Sequence, residues 1–241
     1  MSELEVEVKV RKVVVDPRMS LTMMGRLVVA SERVKLSIIK KSKYPSDFVP
    51  GYHELARKSI CEAFESNIKG DYDLYFDEFK RKAKEYRHEA SFHPIDKVPY
   101  KNNFYSAEGL DGIIAMEGLL TPILENFIFH SNLSKKKNSI MMNNVRIGSM
   151  ADMLLYDQYG IDHIGFVKFN FSKSKFPAEE AAVKLKVLKT FFEGKQIDLN
   201  SKHCILVDVP LRRVYALDEV PDAGAALNKG TTLIRDNWDL I

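Results

Sequence analysis

The spacing of apolar residues changes several times along the first hundred positions. Residues 5–15 alternate charged and β-branched side chains, and this period of two predicts a β-strand. Apolar residues then recur at helical spacing over residues 20–41, along a second segment that includes Ile60, and over residues 71–86. Residues 87–104 contain two prolines and no period, so we expect a loop there. The N-terminal part of the chain therefore predicts one strand followed by three helices.

The second half of the chain alternates between helical and strand-like patterns. A helical run from residue 106 to about residue 130, with a restart near Pro122, is followed by three short strand patterns. The predicted strands are 140–147, 151–157, 163–171, 204–209 and 213–217, and the later helices are 178–193 and a C-terminal segment that carries Trp238. This order predicts an α/β (α+β) fold with a mixed central sheet in residues 106–241. A strand and helices in residues 1–105 are expected to pack on that core.

Composition limits the classes of protein to which this chain can belong, but it identifies no binding partner. Of the 241 residues, 45% are hydrophobic, which is enough to fill a sizeable core. The formal net charge of +3 is too small to indicate nucleic-acid binding, and the short basic runs are typical of solvated faces. Two distant cysteines, Cys61 and Cys204, fit a reducing compartment, and no apolar run has the roughly 20 residues of a membrane span. We therefore expect a soluble, cytoplasmic protein that binds no membrane. The sequence does not set its oligomeric state.

The segment from residue 145 to residue 175 places one acid and one lysine in otherwise apolar strands. Asp152 begins the second strand of the group, and Lys168 lies in the middle of the third. Strand interiors disfavour aspartate, and a lysine among aromatic and β-branched residues is costly to bury unless its charge is paired. One interpretation is a carboxylate that binds a divalent cation beside a lysine that assists an attacking water. The alternatives are an aspartate that caps a turn and a lysine on an edge strand.

The element order and these two residues resemble the core of the PD-(D/E)xK nuclease superfamily, in particular its RecB-like and lambda-exonuclease-like branches. Residues 106–217 carry the resemblance, which implies a restriction-endonuclease-like αβββαβ core with an N-terminal helical extension. In that superfamily an acid on the second strand binds Mg²⁺, and the next strand carries an acid, any residue and then lysine. Asp152 and Lys168 match these positions, but Phe166 stands where the second acid belongs. An aromatic ring cannot coordinate Mg²⁺.

The resemblance also implies where further ligands could complete the site. The second acid can migrate to the following helix, where Glu179 and Glu180 occupy the first turn, or Asn170 can supply a weaker oxygen ligand. Glu117 is the candidate from the helix that opens the core, and Glu125 is two turns further on. Simpler alternatives remain, because the helix dipole favours acids in a first turn and exposed helix positions are often acidic.

Two functions follow from these expectations. The first is a nuclease that hydrolyses DNA with Mg²⁺ or Mn²⁺, in which Asp152, Glu117 and Glu180 bind the metal and act in catalysis together with Lys168. The second is a catalytically degenerate module of the same fold that binds nucleic acid or a partner protein. An enzyme of another class has no support, because the sequence contains no Walker-type loop, dinucleotide fingerprint or Ser-His-Asp order.

Overall fold

The computed structural model describes residues 12–46, 51–133, 138–173 and 176–241. The strand predicted at residues 5–15 falls mostly outside this range, and its described remainder is not in a strand. The described residues form eight α-helices, eight β-strands and one turn of 3₁₀ helix at Ser201–His203. None of these helices is both long and apolar enough to cross a lipid bilayer.

Helices dominate the first hundred residues, and strands and helices alternate afterwards. The helices are α1 (Leu21–Val29), α2 (Glu32–Lys43), α3 (Glu54–Glu65), α4 (Asp73–Ser91), α5 (Val98–Ile114), α6 (Glu117–Asn126), α7 (Ala178–Glu193) and α8 (Gly224–Trp238). The strands are β1 (Arg18–Met19), β2 (Ile128–Ser131), β3 (Ser139–Met142), β4 (Val145–Gly148), β5 (Met153–Tyr156), β6 (His163–Asn170), β7 (Cys204–Asp208) and β8 (Arg213–Ala216). The protein thus has the mixed α+β class that its hydrophobic pattern predicts.

The main sheet of the described residues has five strands in the order β2-β5-β6-β7-β8. Strands β2, β5 and β6 pair antiparallel, β7 lies parallel to β6, and β8 pairs antiparallel with β7. Helix α7 makes the crossover between the two parallel strands, as predicted. The main sheet therefore has three antiparallel strands, a crossover helix and then a parallel strand, but its first strand is not the predicted one.

The strand predicted at residues 140–147 is instead a β-hairpin. Asn143 and Asn144 form its two-residue turn with φ angles of 49° and 62°, a conformation that asparagine tolerates better than most residues. The hairpin strands β3 and β4 join β1 in a separate three-stranded sheet. The first strand of the main sheet is β2, whose aromatic and β-branched residues follow α6 directly. The helical pattern of residues 106–130 does not separate the two.

Two helical predictions also differ from the structure. The segment 20–41 forms two helices, because Ala30 and Ser31 adopt extended conformations between α1 and α2. The predicted loop at 87–104 is largely helical, since α4 extends into it and α5 begins within it. Pro99 lies in the first turn of α5, where a missing backbone N–H removes no helical hydrogen bond.

The main sheet lies between two helical layers that have separate apolar clusters. On one face, Phe166 and Leu206 pack in a cluster with residues of α1, α2, α7 and α8. On the other face, Val167 and Ile205 pack with residues of α3, α4, α5 and α6. Successive residues of a strand point to opposite faces, so the alternation in β6 and β7 fixes which layer each residue contacts. Helices from the N-terminal region contribute to both clusters.

Candidate functional site

Asp152 immediately precedes β5 and is completely buried. Its backbone N–H donates a 2.9 Å hydrogen bond to the carbonyl oxygen of Val167, the residue of β6 that pairs with Met153. Lys168 is the residue after Val167 in β6. The prediction that the strands of Asp152 and Lys168 are adjacent is therefore confirmed, with Asp152 one residue before β5.

Three donors hold the carboxylate of Asp152. Its Oδ1 accepts hydrogen bonds from Nη1 of Arg57 at 2.6 Å and from Nζ of Lys168 at 2.9 Å. Its Oδ2 accepts the backbone N–H of Phe169 at 2.8 Å. Burial alone would raise the pKa of Asp152, but the charges of Arg57 and Lys168 outweigh it and hold the pKa below its ordinary value. Asp152 is thus ionised at neutral pH beside two cations. We call Arg57, Asp152 and Lys168 the Asp152 cluster.

Lys168 is nearly enclosed, with 14% of its side chain exposed. Burial lowers the pKa of Lys168, and attraction to Asp152 offsets part of this effect. The lysine does not lie on an edge strand, because β5 and β7 flank β6. Its ion pair with Asp152 offsets the free-energy cost of burying the ammonium group within an apolar strand.

Arg57 on α3 is the residue of the cluster that sequence reasoning missed. Its guanidinium carbon lies 5.5 Å from the centroid of the Phe171 ring, a cation–π distance. Burial would lower the pKa of Arg57, but the neighbouring carboxylate outweighs burial and raises it. A weak signal for this role is present in the sequence. Arg57 precedes Ile60 and Phe64 by three and seven positions, so it lies on the buried stripe of its helix.

A second polar cluster lies between α7 and the main sheet. Glu180 is buried in the first turn of α7, and its Oε1 lies 2.8 Å from Nζ of Lys184 on the same helix. Asp208 is completely buried at the end of β7 and accepts a 2.9 Å hydrogen bond from Nδ2 of Asn170. No described residue provides a hydrogen-bond partner for Oδ2 of Asp208. Burial raises the pKa of Asp208, while Asn170 and Lys184 oppose the rise. Both candidate replacements for the missing acid, Glu180 and Asn170, are therefore engaged in this cluster.

The other predicted acids are not near each other. Glu117 is half-buried at the start of α6, and Glu125 and Glu179 are exposed. Helix α6 packs on one face of the main sheet and α7 on the other, which separates Glu117 from Glu180. Among the described residues, no three acidic, histidine or cysteine side chains form a group that could hold a metal ion. The structure therefore does not bring Glu117, Asp152 and Glu180 together as the predicted metal site requires.

Phe166, at the position of the expected second acid, is a core residue. It is completely buried, and its ring stacks on Phe192 of α7 with the centroids 5.8 Å apart. An aromatic side chain that packs beneath α7 thus occupies the position where the resemblance places the second acid.

A groove of about 280 Å³ opens next to the Asp152 cluster. Its lining includes His53, Phe171, Lys173 and Arg212. The Phe171 ring connects the groove to the cluster, because it stacks on His53 with centroids 5.1 Å apart and also contacts the guanidinium of Arg57. Burial lowers the pKa of His53, so this ring is neutral at pH 7. The groove therefore combines aromatic rings with two cationic side chains and with two acidic ones, Glu108 and Asp111.

No protein-family model matches this chain, and no curated protein or solved structure matches it significantly. Its function must be inferred from the Asp152 cluster and the surfaces around it.

Proposed function

We propose that this protein binds nucleic acid through the Asp152 cluster and the adjoining groove, as a catalytically degenerate module with a nuclease-like strand order. The observation that carries the proposal is the pairing of one buried carboxylate, on Asp152, with the two cations of Arg57 and Lys168. The cluster has a formal charge of +1 and therefore attracts an anion. A phosphate group suits it, because guanidinium and ammonium groups form strong charge-assisted hydrogen bonds with phosphate oxygens.

A divalent metal fits the Asp152 cluster poorly. Mg²⁺ needs a near-complete shell of oxygen ligands, whereas Oδ1 of Asp152 already accepts hydrogen bonds from two cations. A dication about 4 Å from either cation would be repelled by on the order of 8 kcal/mol at an effective dielectric constant of about 20. Metal binding would therefore require Arg57 and Lys168 to move away from the carboxylate.

The groove adds two exposed cations beside the cluster, although Glu108 and Asp111 also line it. Lys173 and Arg212 are exposed in its lining. Lys173 lies 2.9 Å from Glu108, but exposed ion pairs of this kind contribute only about 0–1 kcal/mol. A polyanion can therefore replace Glu108 as the partner of Lys173 at little cost.

Fluorescence anisotropy with labelled DNA and RNA oligonucleotides, single- and double-stranded, tests the proposal. We expect binding that weakens steeply between about 50 and about 200 mM salt. Lys173→Gln and Arg212→Gln should each reduce the slope of log affinity against log salt by about one. Arg235→Gln removes an exposed charge on α8, in the opposite helical layer, and should leave the slope unchanged. The absence of salt-dependent binding to every oligonucleotide would overturn the proposal.

A DNA nuclease that uses Mg²⁺ or Mn²⁺ is the second candidate, and the contact between Asp152 and Lys168 across adjacent strands favours it. This candidate requires Arg57 to leave the carboxylate when metal and DNA bind together. Incubation of labelled DNA with each metal separates the two functions. Cleavage that Asp152→Asn and Lys168→Met both abolish would establish the nuclease, whereas the binding module should leave every oligonucleotide intact.

A further inference from the structure

A connected set of aromatic rings extends along helix α5 toward the Asp152 cluster. Tyr100 stacks on Phe104 with centroids 5.5 Å apart and planes 11° apart, and Phe104 contacts Tyr105 at 5.7 Å. We call the whole set the aromatic strip. It consists of Tyr52, His53, Tyr100, Phe104, Tyr105 and Phe171.

The inner end of the aromatic strip reaches the cations of the candidate site. The Tyr105 and His53 rings are 6.0 Å apart, and His53 stacks on Phe171 at 5.1 Å with planes 12° apart. The guanidinium of Arg57 lies 5.5 Å from the centroid of Phe171. The strip is therefore continuous from the surface of α5 to a side chain that holds Asp152.

Exposure distinguishes the aromatic strip from the aromatic packing of the core. In the core of the same layer, Phe64, Phe76, Phe79 and Phe129 contact each other and are at most 2% exposed. Every residue of the strip except Phe171 is only partly buried. Partly exposed rings leave apolar surface that a ligand with its own aromatic face can cover.

Cations alternate with rings on the exposed side of α5. Lys97, Tyr100, Lys101 and Phe104 are spaced by three, one and three positions, so they lie on one face of the helix. Lys173 adds a cation where the aromatic strip meets the groove. Rings flanked by basic side chains are the arrangement with which proteins hold single-stranded nucleic acid, because bases stack on the rings and phosphates contact the cations.

We infer that the aromatic strip binds unpaired bases of single-stranded nucleic acid, with the phosphates of the strand on Lys97, Lys101 and Lys173. This inference rests on the proposed nucleic-acid function and specifies its substrate class. Bases inside a duplex stack on each other and have no free face, whereas each unpaired base can stack on a protein ring. The inner end of the strip brings the strand to Arg57, whose side chain is 26% exposed and can contact a phosphate while it holds Asp152.

The test compares single strands of about 16 nucleotides, in DNA and in RNA, with duplexes of the same sequence. The variant Tyr100→Leu/Phe104→Leu keeps apolar side chains that favour a helix but removes two ring faces. We expect its affinity for single strands to fall about 5- to 100-fold, with an unchanged salt slope and unchanged duplex affinity. Tyr100→Phe, which keeps the ring, should retain the affinity. The matched control is Phe92→Leu, because Phe92 is 65% exposed and its ring contacts only His88 among the described rings.

Thermal unfolding of each variant confirms that the fold is intact before affinities are compared. If the wild-type protein binds single strands and the double variant binds them equally well, the inference is overturned while the proposed function stands. Equal losses for duplex and single strand would also overturn it, since the strip would then not distinguish unpaired bases. If the wild-type protein binds no nucleic acid, the proposed function itself fails.

Discussion

Nη1 of Arg57 lies 2.6 Å from Oδ1 of Asp152, and this contact joins helix α3 to the main sheet across 95 positions of sequence. The same carboxylate also accepts a hydrogen bond from the ammonium of Lys168, so one buried anion connects α3 with β6. In the superfamily that the sequence resembles, an acid at this position binds metal. Here two cations pair with it, so the packing of α3 on the main sheet and the charge of the candidate site depend on the same three side chains.

Asp152→Ala should destabilise the protein by about 3–5 kcal/mol, because it leaves Arg57 and Lys168 without their shared counter-charge in a buried site. Asp152→Asn keeps an acceptor oxygen for one of the donors and should cost less, about 1–3 kcal/mol. Urea unfolding at neutral pH measures both differences. If Asp152→Ala changed stability by less than about 0.5 kcal/mol, as a substitution at an exposed site does, the cluster would not anchor α3 to the main sheet.

Phe166→Glu would restore the acid of the superfamily pattern in sequence, but the structure predicts that it disrupts the core. The introduced carboxylate would replace a completely buried ring that stacks on Phe192 beneath α7. We expect a loss of about 3–5 kcal/mol at pH 7, compared with about 1–2 kcal/mol for Phe166→Leu. The loss should shrink at acidic pH as the buried carboxylate takes up a proton.

Magnesium provides the control for this substitution. If the introduced acid completed a metal site, Mg²⁺ would raise the thermal midpoint of the Phe166→Glu variant and leave that of the wild-type protein unchanged. The packing of residue 166 against α7 predicts no such difference.

The sequence predicts that the strands of Asp152 and Lys168 are adjacent because both signals are local. Each residue interrupts an apolar strand, and the short turn between the two strands makes them neighbours. Asp157 also interacts with residues close in sequence, because its Oδ1 accepts hydrogen bonds from the backbone N–H groups of Ile161 and Asp162 within that turn. The hydrophobic period and the turn residues are enough to predict neighbouring elements when these elements are close in sequence.

Features that depend on distant partners are not visible in the pattern. Arg57 resembles any helix cation until α3 is placed against the main sheet. Glu180 resembles an acid placed to favour the helix dipole until the packing of α7 is seen to bury it. The pattern does not predict the hairpin turn at Asn143 for a different reason. Its two strands together have the length and the apolar content of one ordinary strand, and this pattern outweighed the turn signal of the Asn143–Asn144 pair.

Asp208→Asn should stabilise the protein at neutral pH. Burial raises the pKa of Asp208 above its unfolded value, so the folded state favours the protonated form and this contribution is lost as pH rises through the folded pKa. Asparagine resembles the protonated carboxyl and keeps an oxygen for the Nδ2 donor of Asn170. We expect a gain of roughly 0.5–1.5 kcal/mol at pH 7 that diminishes toward pH 4. Urea unfolding at several pH values measures it, and a loss at pH 7 would indicate that Asp208 is held ionised by Lys184.

His163 should make the stability of the protein fall as pH decreases below about 6.5. Its ring stacks on Tyr156 and meets the edge of Phe192, and burial in this position lowers the pKa of His163, although a hydrogen bond with the carbonyl oxygen of Gly165 opposes the shift. The unfolded chain then takes up a proton at a pH where the folded chain does not. Stability is therefore fully present above the unfolded pKa and is lost as pH falls toward the folded pKa.

The slope assigned to His163 can be at most about 1.4 kcal/mol per pH unit, the value for one proton. His163→Gln should reduce stability at pH 7.5, because it removes the ring contacts, but should flatten the dependence between about pH 6.5 and about pH 5. His93→Gln replaces an exposed histidine and should leave the wild-type slope in place. Equal slopes in the wild-type protein and in His163→Gln would show that another group takes up the proton on unfolding, and His53 and His203, whose pKa values burial also lowers, would be the next to replace.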